Sequence, residues 1–367
     1  MTDTKPLSAN PFWLFCLALL LLRILQISLL PVTTDEAYYF SWTKQLAWGY
    51  FDHPPMVSWL AATQSWLPGV VGVARLGTLV MAMLTIAVIW RLCRQVGFTH
   101  TATALTALLL ATCNLLALAG GVLTTPDVPL LFWWAVALHE ATVALQRDPR
   151  RWLTAGLATG CGILSKYTML FMGPVFLWGL LRSGNRSLAK PWPYLGGICC
   201  LLVVLPHLNW QHQHNWVTFQ FQLAHGFGGD GAAEFQTLAM PKPETPPDDS
   251  IEAQMGAAFQ SLHQAEAKAE KKPKPYDPLL KSLNRYLGFY GAQIAFWGLL
   301  LIPLGWSLRS RDNRSRFGEL FQPIRGLIHA SYIFPLVFLG LLALFRKVEA
   351  NWSAMSLIGL SLAMAPM

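Results

Sequence analysis

About ten stretches of this chain are apolar and long enough to enter a membrane, and short arginine-bearing segments separate them. A spanning helix needs about 20 predominantly apolar residues. Candidate spans run over 11–31, 71–91, 101–121, 127–146, 152–165, 168–182, 194–211, 286–308, 327–345 and 352–367. The fifth and sixth are short, and Ser165-Lys166-Tyr167 divides them. Hydrophobic residues make up 54% of the chain and charged residues 13%. A soluble domain carries roughly 25% charged residues, so the sequence predicts an all-α integral membrane protein, a polytopic bundle of about 10 helices. The net charge of +8 does not point to nucleic acid, because the arginines sit in the short loops between apolar runs. The apolar run from Pro11 to Val32 is too long for a signal h-region and no small-residue cleavage site follows it, so it reads as a first span. Arg23 lies inside that run, either as a functional residue or facing the bundle. The six cysteines lie in or beside apolar runs, without metal-site spacing or disulfide pattern.

The basic residues also orient the chain. Lys5 precedes the first span, Arg91 and Arg94 follow the second, and Arg147, Arg150 and Arg151 follow the fourth. Arg182, Arg186 and Lys190 follow the sixth, and Arg309, Arg311, Arg314 and Arg316 follow the eighth. With a cytoplasmic N-terminus every cluster falls inside, and counting 152–182 as two spans keeps that true. The opposite face then receives 32–70, 120–126, 165–168, 207–285 and 345–352. Within these, 228–281 is rich in Pro, Ala, Glu, Lys and Gln and predicts a polar, flexible insertion. Aromatics mixed with polar residues after Tyr39 fit an amphipathic helix lying in the interface.

Chemically equipped residues gather on that same face. Asp35, Glu36, Asp52 and Asp127 supply carboxylates; Lys166, Arg346, Lys347 and Arg75 supply cations; His53 and His225 supply imidazoles. Helix capping also explains Asp35, Glu36 and Asp127, each of which opens an apolar or helical run. A lipid-linked substrate with a phosphate head group sits at this depth. A phosphate leaving group departs without a proton donor and needs fixed positive charge, whereas the attacking hydroxyl or amine needs a carboxylate base. The mixture fits glycosyl transfer from a polyprenyl phosphate.

The motifs Thr34-Asp35-Glu36-Ala37-Tyr38-Tyr39, Gly49-Tyr50-Phe51-Asp52-His53-Pro54-Pro55-Met56, Ala74-Arg75-Leu76, Thr125-Pro126-Asp127-Val128-Pro129 and Leu164-Ser165-Lys166-Tyr167 carry a resemblance. With weaker matches at His214-Asn215-Trp216 and Glu349-Ala350-Asn351-Trp352, the chain resembles the GT-C membrane glycosyltransferases of the family 39/83 type. These include lipid A aminoarabinose transferases and relatives of dolichyl-phosphate-mannose protein mannosyltransferases. The resemblance implies a GT-C fold in the bacterial inner membrane, with the N-terminus cytoplasmic and the active site facing the periplasm. It implies an inverting transferase that moves a sugar from undecaprenyl phosphate to lipid A, a glycan or a protein, without nucleic acid. By that likeness Asp35 is the catalytic carboxylate, supported by Glu36 and Asp127. Lys166, Arg346, Lys347, His53 and Arg75 would contact the donor phosphate. Tyr38, Tyr39, His225, Glu349 and Asn351 would line the substrate. A divalent metal stays open, with Glu36 and His225 as its ligands if one is used.

Two features depart from the family pattern. His53 stands where relatives carry a lysine, and the chain stops at Met367 inside an apolar run, as a fragment or a short variant would. The competing readings are a transporter or flippase, and a degenerate lipid-sugar binder. A transporter keeps its ionisable residues near the midplane, whereas here they cluster at span ends. The transferase reading also predicts that Asp35, Asp127, Lys166 and Arg346 converge around one cavity.

Overall fold

A computed structural model describes residues 8–63, 75–183, 186–227, 278–298, 301, 305 and 324–365. No strand occurs among them. The helices are α1 (Ala9–Leu29), α2 (Thr34–Ser41), α3 (Met56–Ala62), α4 (Leu76–Gln95), α5 (Thr101–Thr112), α6 (Leu115–Gly120) and α7 (Asp127–Gln146). After them come α8 (Trp152–Ile163), α9 (Met172–Arg182), α10 (Trp192–Gln213), α11 (Val217–Phe227), α12 (Pro278–Trp297), α13 (Arg325–Phe345) and α14 (Ser356–Met364). The helices α1, α4, α7, α10 and α13 are each long and apolar enough to cross a membrane. Most of the insertion expected at 228–281, and the basic cluster Arg309–Arg316, lie outside the described residues.

The centre of the bundle is α7. It packs against α4 on one side and α8 on the other, and Trp134, Ala135, Ala137, Leu138 and Ala141 are fully buried there. A helix with this much apolar surface inside a membrane protein is a core element rather than a lipid-facing one. In contrast, α1 and α10 leave Leu14, Leu17, Leu25, Leu201, Leu202 and Leu205 exposed. Such a row of apolar side chains suits contact with acyl chains.

Small residues bring two of the helices unusually close. A Cβ at Gly156 of α8 would stand 1.9 Å from the Gly196 carbonyl oxygen of α10, and one at Gly196 would stand 2.3 Å from the Trp152 carbonyl oxygen. Helices in lipid associate by such backbone approach, because apolar side chains gain little by leaving lipid for protein.

Two expectations about spans change. The stretch 101–121 breaks into α5 and α6 at Asn114, which donates to the carbonyls of Leu110 and Ala111 and accepts from the Ala117 N–H. A side-chain amide that closes one helix and caps the next explains the break. The helix expected at 286–308 begins instead at Pro278, so Lys281 and Arg285 lie within it.

The two ends of the bundle are finished differently. Far from Asp127 along α7, Glu140 accepts from Arg151 at 3.1 Å and from Thr154, and contacts His139 Nδ1 at 2.9 Å. This cluster joins α7 to the start of α8. The opposite end, where α7 begins, holds the candidate site.

Candidate functional site at one end of the bundle

The chain leaves α1 at Leu30 and turns into α2 through a capping box. Thr33 accepts from the Glu36 N–H, and Glu36 accepts in return from the Thr33 N–H at 3.0 Å. Glu36 is bound on every side. Its Oε1 accepts from Arg75 Nε at 2.7 Å and from the Thr124 N–H at 3.1 Å, and its Oε2 accepts from Arg75 Nη2 at 2.6 Å. Arg75 also donates to the carbonyls of Leu30 and Pro31. Arg75 is 1% exposed and Glu36 6%. Burial favours the neutral acid, yet the bonds from Arg75, Thr33 and Thr124 outweigh it and hold the Glu36 carboxyl below its usual range. This pair fastens the end of α1, the start of α4 and the second loop to one point. Held this way, Glu36 presents no open lone pair to a cation. Among the described residues no group of three His, Cys, Asp or Glu side chains converges as a metal site.

Asp35 differs from its neighbour in every respect. Its side chain is exposed and has no hydrogen bond or ion pair among the described residues. Surrounding protein still crowds the carboxyl enough to raise its pKa, and the adjacent Glu36 carboxylate adds to the rise.

The third acid, Asp127, is the first residue of α7, where the dipole favours an anion. Its Oδ1 accepts from Lys166 Nζ at 2.7 Å and its Oδ2 from Asn351 Nδ2 at 2.9 Å. Lys166 arrives from the turn between α8 and α9, and Asn351 from the segment between α13 and α14. One carboxylate thus joins three parts of the chain that lie far apart in sequence.

Burial raises the pKa of the Tyr39 hydroxyl, and the charges of Asp52, Asp35 and Asp127 add to the rise and keep it protonated. The His53 ring lies edge-on to Tyr39 at 5.8 Å. Tyr38 donates to Asp52 Oδ1 at 3.2 Å. Burial, with a smaller contribution from the Asp35 charge, pushes the Asp52 carboxyl up to about 7, against that bond.

The remaining expected residues fall as follows. Arg346 ends α13, half-buried, and its guanidinium has no protein partner among the described residues. Lys347 is 84% exposed and meets Glu349 at 3.1 Å. His225 belongs to α11, but its side chain lies outside the described residues. The structure therefore gathers Asp35, Glu36, Tyr38, Tyr39, His53, Arg75, Asp127, Lys166 and Asn351 at one end, with Arg346, Lys347 and Glu349 on the segment that delivers Asn351.

A polar relay holds the first loop on the bundle, and sequence reasoning did not single it out. His207 Nδ1 contacts the Trp48 carbonyl at 2.5 Å, and its Nε2 meets the Tyr167 hydroxyl at 2.8 Å. Gln211 donates to Tyr167 and to Thr218, and Thr218 donates to the Tyr50 carbonyl. Gly49 lies flat on Trp210, where a Cβ would come within 2.4 Å of the ring. Asp52, two residues past Tyr50, is steadied by this docking. The signal was Tyr167, next to Lys166 in the sequence.

Known proteins resemble this chain in sequence and in fold. Residues 52–210 match the family Dolichyl-phosphate-mannose-protein mannosyltransferase. The lipid A galacturonosyltransferase RgtD of Rhizobium johnstonii is 30% identical over 188 residues, which are 50% of this chain and 39% of that protein. The lipopolysaccharide core galacturonosyltransferase RgtA of the same organism is 28% identical over 180 residues, 48% of this chain and 36% of that protein. The matched regions thus span less than two fifths of the length of these relatives. Among solved structures, ArnT from Cupriavidus metallidurans in the apo state superposes with a TM-score of 0.61 at 15% identity, covering 98% of this chain and 60% of that one. The oligosaccharyltransferase AglB from Archaeoglobus fulgidus gives a TM-score of 0.52 at 14% identity, covering 96% of this chain and 50% of that one. With the bundle, the acidic first loop and the Asp127 junction in place, the chain has the GT-C fold, shared with ArnT and AglB.

Proposed function

We propose that this protein is an inverting glycosyltransferase that takes a sugar from a polyprenyl phosphate, undecaprenyl phosphate in a bacterium. Both curated relatives are named for lipid A or lipopolysaccharide core, which supports a saccharide of that glycolipid as the acceptor over a protein or another glycan. The site would face the periplasm from the inner membrane, with the N-terminus cytoplasmic, in keeping with the placing of the arginines.

The observation that carries the reading is the exposed Asp35, without a partner among the described residues, beside a Glu36 that is wholly engaged. A base must be open to its substrate, and a raised pKa makes it a better proton acceptor. Asp35 removes the proton from the acceptor hydroxyl as its oxygen attacks the anomeric carbon. The new C–O bond forms while the old bond to the phosphate oxygen breaks, and polyprenyl phosphate leaves with that electron pair. Positive charge offsets the charge developing on the leaving phosphate. Arg346, with no protein partner among the described residues, is the foremost group for that task, and Lys347 is the next. Lys166 is engaged by Asp127, so it reaches phosphate by exchanging partners, or else it shapes the site through Asp127. Glu36 and Arg75 hold the loops in place, while Tyr38, Tyr39 and His53 form the wall beside the acids.

The test is release of free polyprenyl phosphate from a panel of polyprenyl-phosphate sugars, in membranes carrying the native chain or Asp35→Asn. Turnover of a uronic-acid or other single donor, abolished by Asp35→Asn, supports the reading and names the sugar. A folded native chain that turns over no donor would overturn it in favour of a lipid-sugar binder.

A further inference from the structure

Arg23 takes no part in the site just described. It projects from α1 about 9 Å before the site end of that helix, six residues short of Leu29. Only 3% of it is exposed, so it does not reach water along the helix as arginines near span ends do. Its Nε and Nη1 are buried and meet no acceptor among the described residues. The guanidinium lies against the turn after α6, where a Cβ at Gly121 would stand 1.3 Å from Nη1.

This side chain borders a cavity of about 40 Å³, walled by Ala82 and Thr85 of α4, Thr112 of α5, Gly121, and Val128 of α7. One water needs roughly 10–15 Å³ on this measure, so the space admits two or three bodies of that size. None of the lining residues is acidic. The hydroxyls of Thr85 and Thr112 donate back to their own helices, to Met81 and Leu108. The buried acids of the site are engaged elsewhere, Glu36 by Arg75 and Asp127 by Lys166. Water would satisfy the N–H groups but would leave the charge uncompensated in an apolar surrounding, which is costly. The space is too small for a phosphate ester with its chain.

We propose that this cavity is a binding site for one small monovalent anion of chloride size, held by Arg23 Nε and Nη1. The anion would couple α1 to the Gly120-Gly121 turn, which leads directly to Thr124 and Asp127. The inference is independent of the transferase reading, and its test does not read activity.

The purified full chain is melted at constant ionic strength while chloride replaces gluconate. The expected result is a saturable rise in melting temperature on the order of a few degrees, absent in Arg23→Met and not reproduced by inorganic phosphate. Equal melting in gluconate and chloride would overturn the proposal, as would an undiminished chloride response in Arg23→Met. Should Arg23→Met not fold, ³⁵Cl NMR on the native chain decides. Excess line broadening that bromide competes away supports the site, and its absence refutes it.

Discussion

Asp35 and Glu36 are adjacent carboxylates at one membrane boundary, and the protein treats them oppositely. Glu36 is buried and accepts bonds from Arg75, Thr33 and Thr124, while Asp35 is exposed and accepts none among the described residues. The same contrast recurs among the cations. Arg75 is enclosed by Glu36 and two backbone carbonyls, and Arg346 has no protein partner among the described residues. A polar group whose bonding capacity is filled by protein maintains shape. One left open is available to a substrate. Sequence motif alone ranks all four together, and geometry separates them.

The contrast can be broken most sharply at Asp35. Asp35→Asn is expected to lower turnover of the lipid-linked donor by roughly 10²- to 10⁴-fold, the range of general-base removal, with the melting temperature unchanged or slightly higher. A comparable loss of folded protein would place Asp35 with the scaffold instead. Arg75→Met should act the other way round. It strands a buried carboxylate, so a stability loss of about 3–5 kcal/mol is expected, read as a fall in melting temperature and folded yield. Next in size is Arg346→Ala, for which a loss of turnover on the order of tenfold to a hundredfold is expected without a change in melting temperature. Lys347→Ala, at a surface pair with Glu349, should cost no more than a few-fold.

A further expected effect is one of pH. The folded Asp52 carboxyl lies near 7, above its value of 3.8 in the unfolded chain. Between those two values the folded state holds the extra proton, so stability falls as pH rises through that window. The slope is at most roughly 1.4 kcal/mol per pH unit. Melting curves between pH 5 and 7 should show a steeper decline for the native chain than for Asp52→Asn. Parallel slopes would mean that Asp52 is ionised in the fold throughout.

Much of this architecture was legible because lipid permits few solutions. Apolar runs of spanning length located α1, α4, α7, α10 and α13, and the acidic first loop with the Pro-Asp turn marked the end where the polar side chains gather. What escaped was anything set by partners distant in the chain. Asn351 meets Asp127, and Arg75 meets Glu36, across separations that no local pattern encodes. Asp52 was visible as a carboxylate, but its high pKa arises from burial that only packing reveals. The break at Asn114 was hidden because a single amide interrupts an otherwise continuous apolar run.

The crossing of α8 and α10 at Gly156 and Gly196 has a consequence for motion. With backbone against backbone at that crossing, the two helices have little room to shear there. They behave as one stiff plate, and through His207 and Gln211 of α10 that plate grips the first loop at Trp48 and Tyr50. On the proposed function, an opening for the lipid donor is expected away from this plate, where α1 and the segment after α13 border the acids. The absence of two methyl groups, at Gly156 and Gly196, thus makes one wall of the site end rigid.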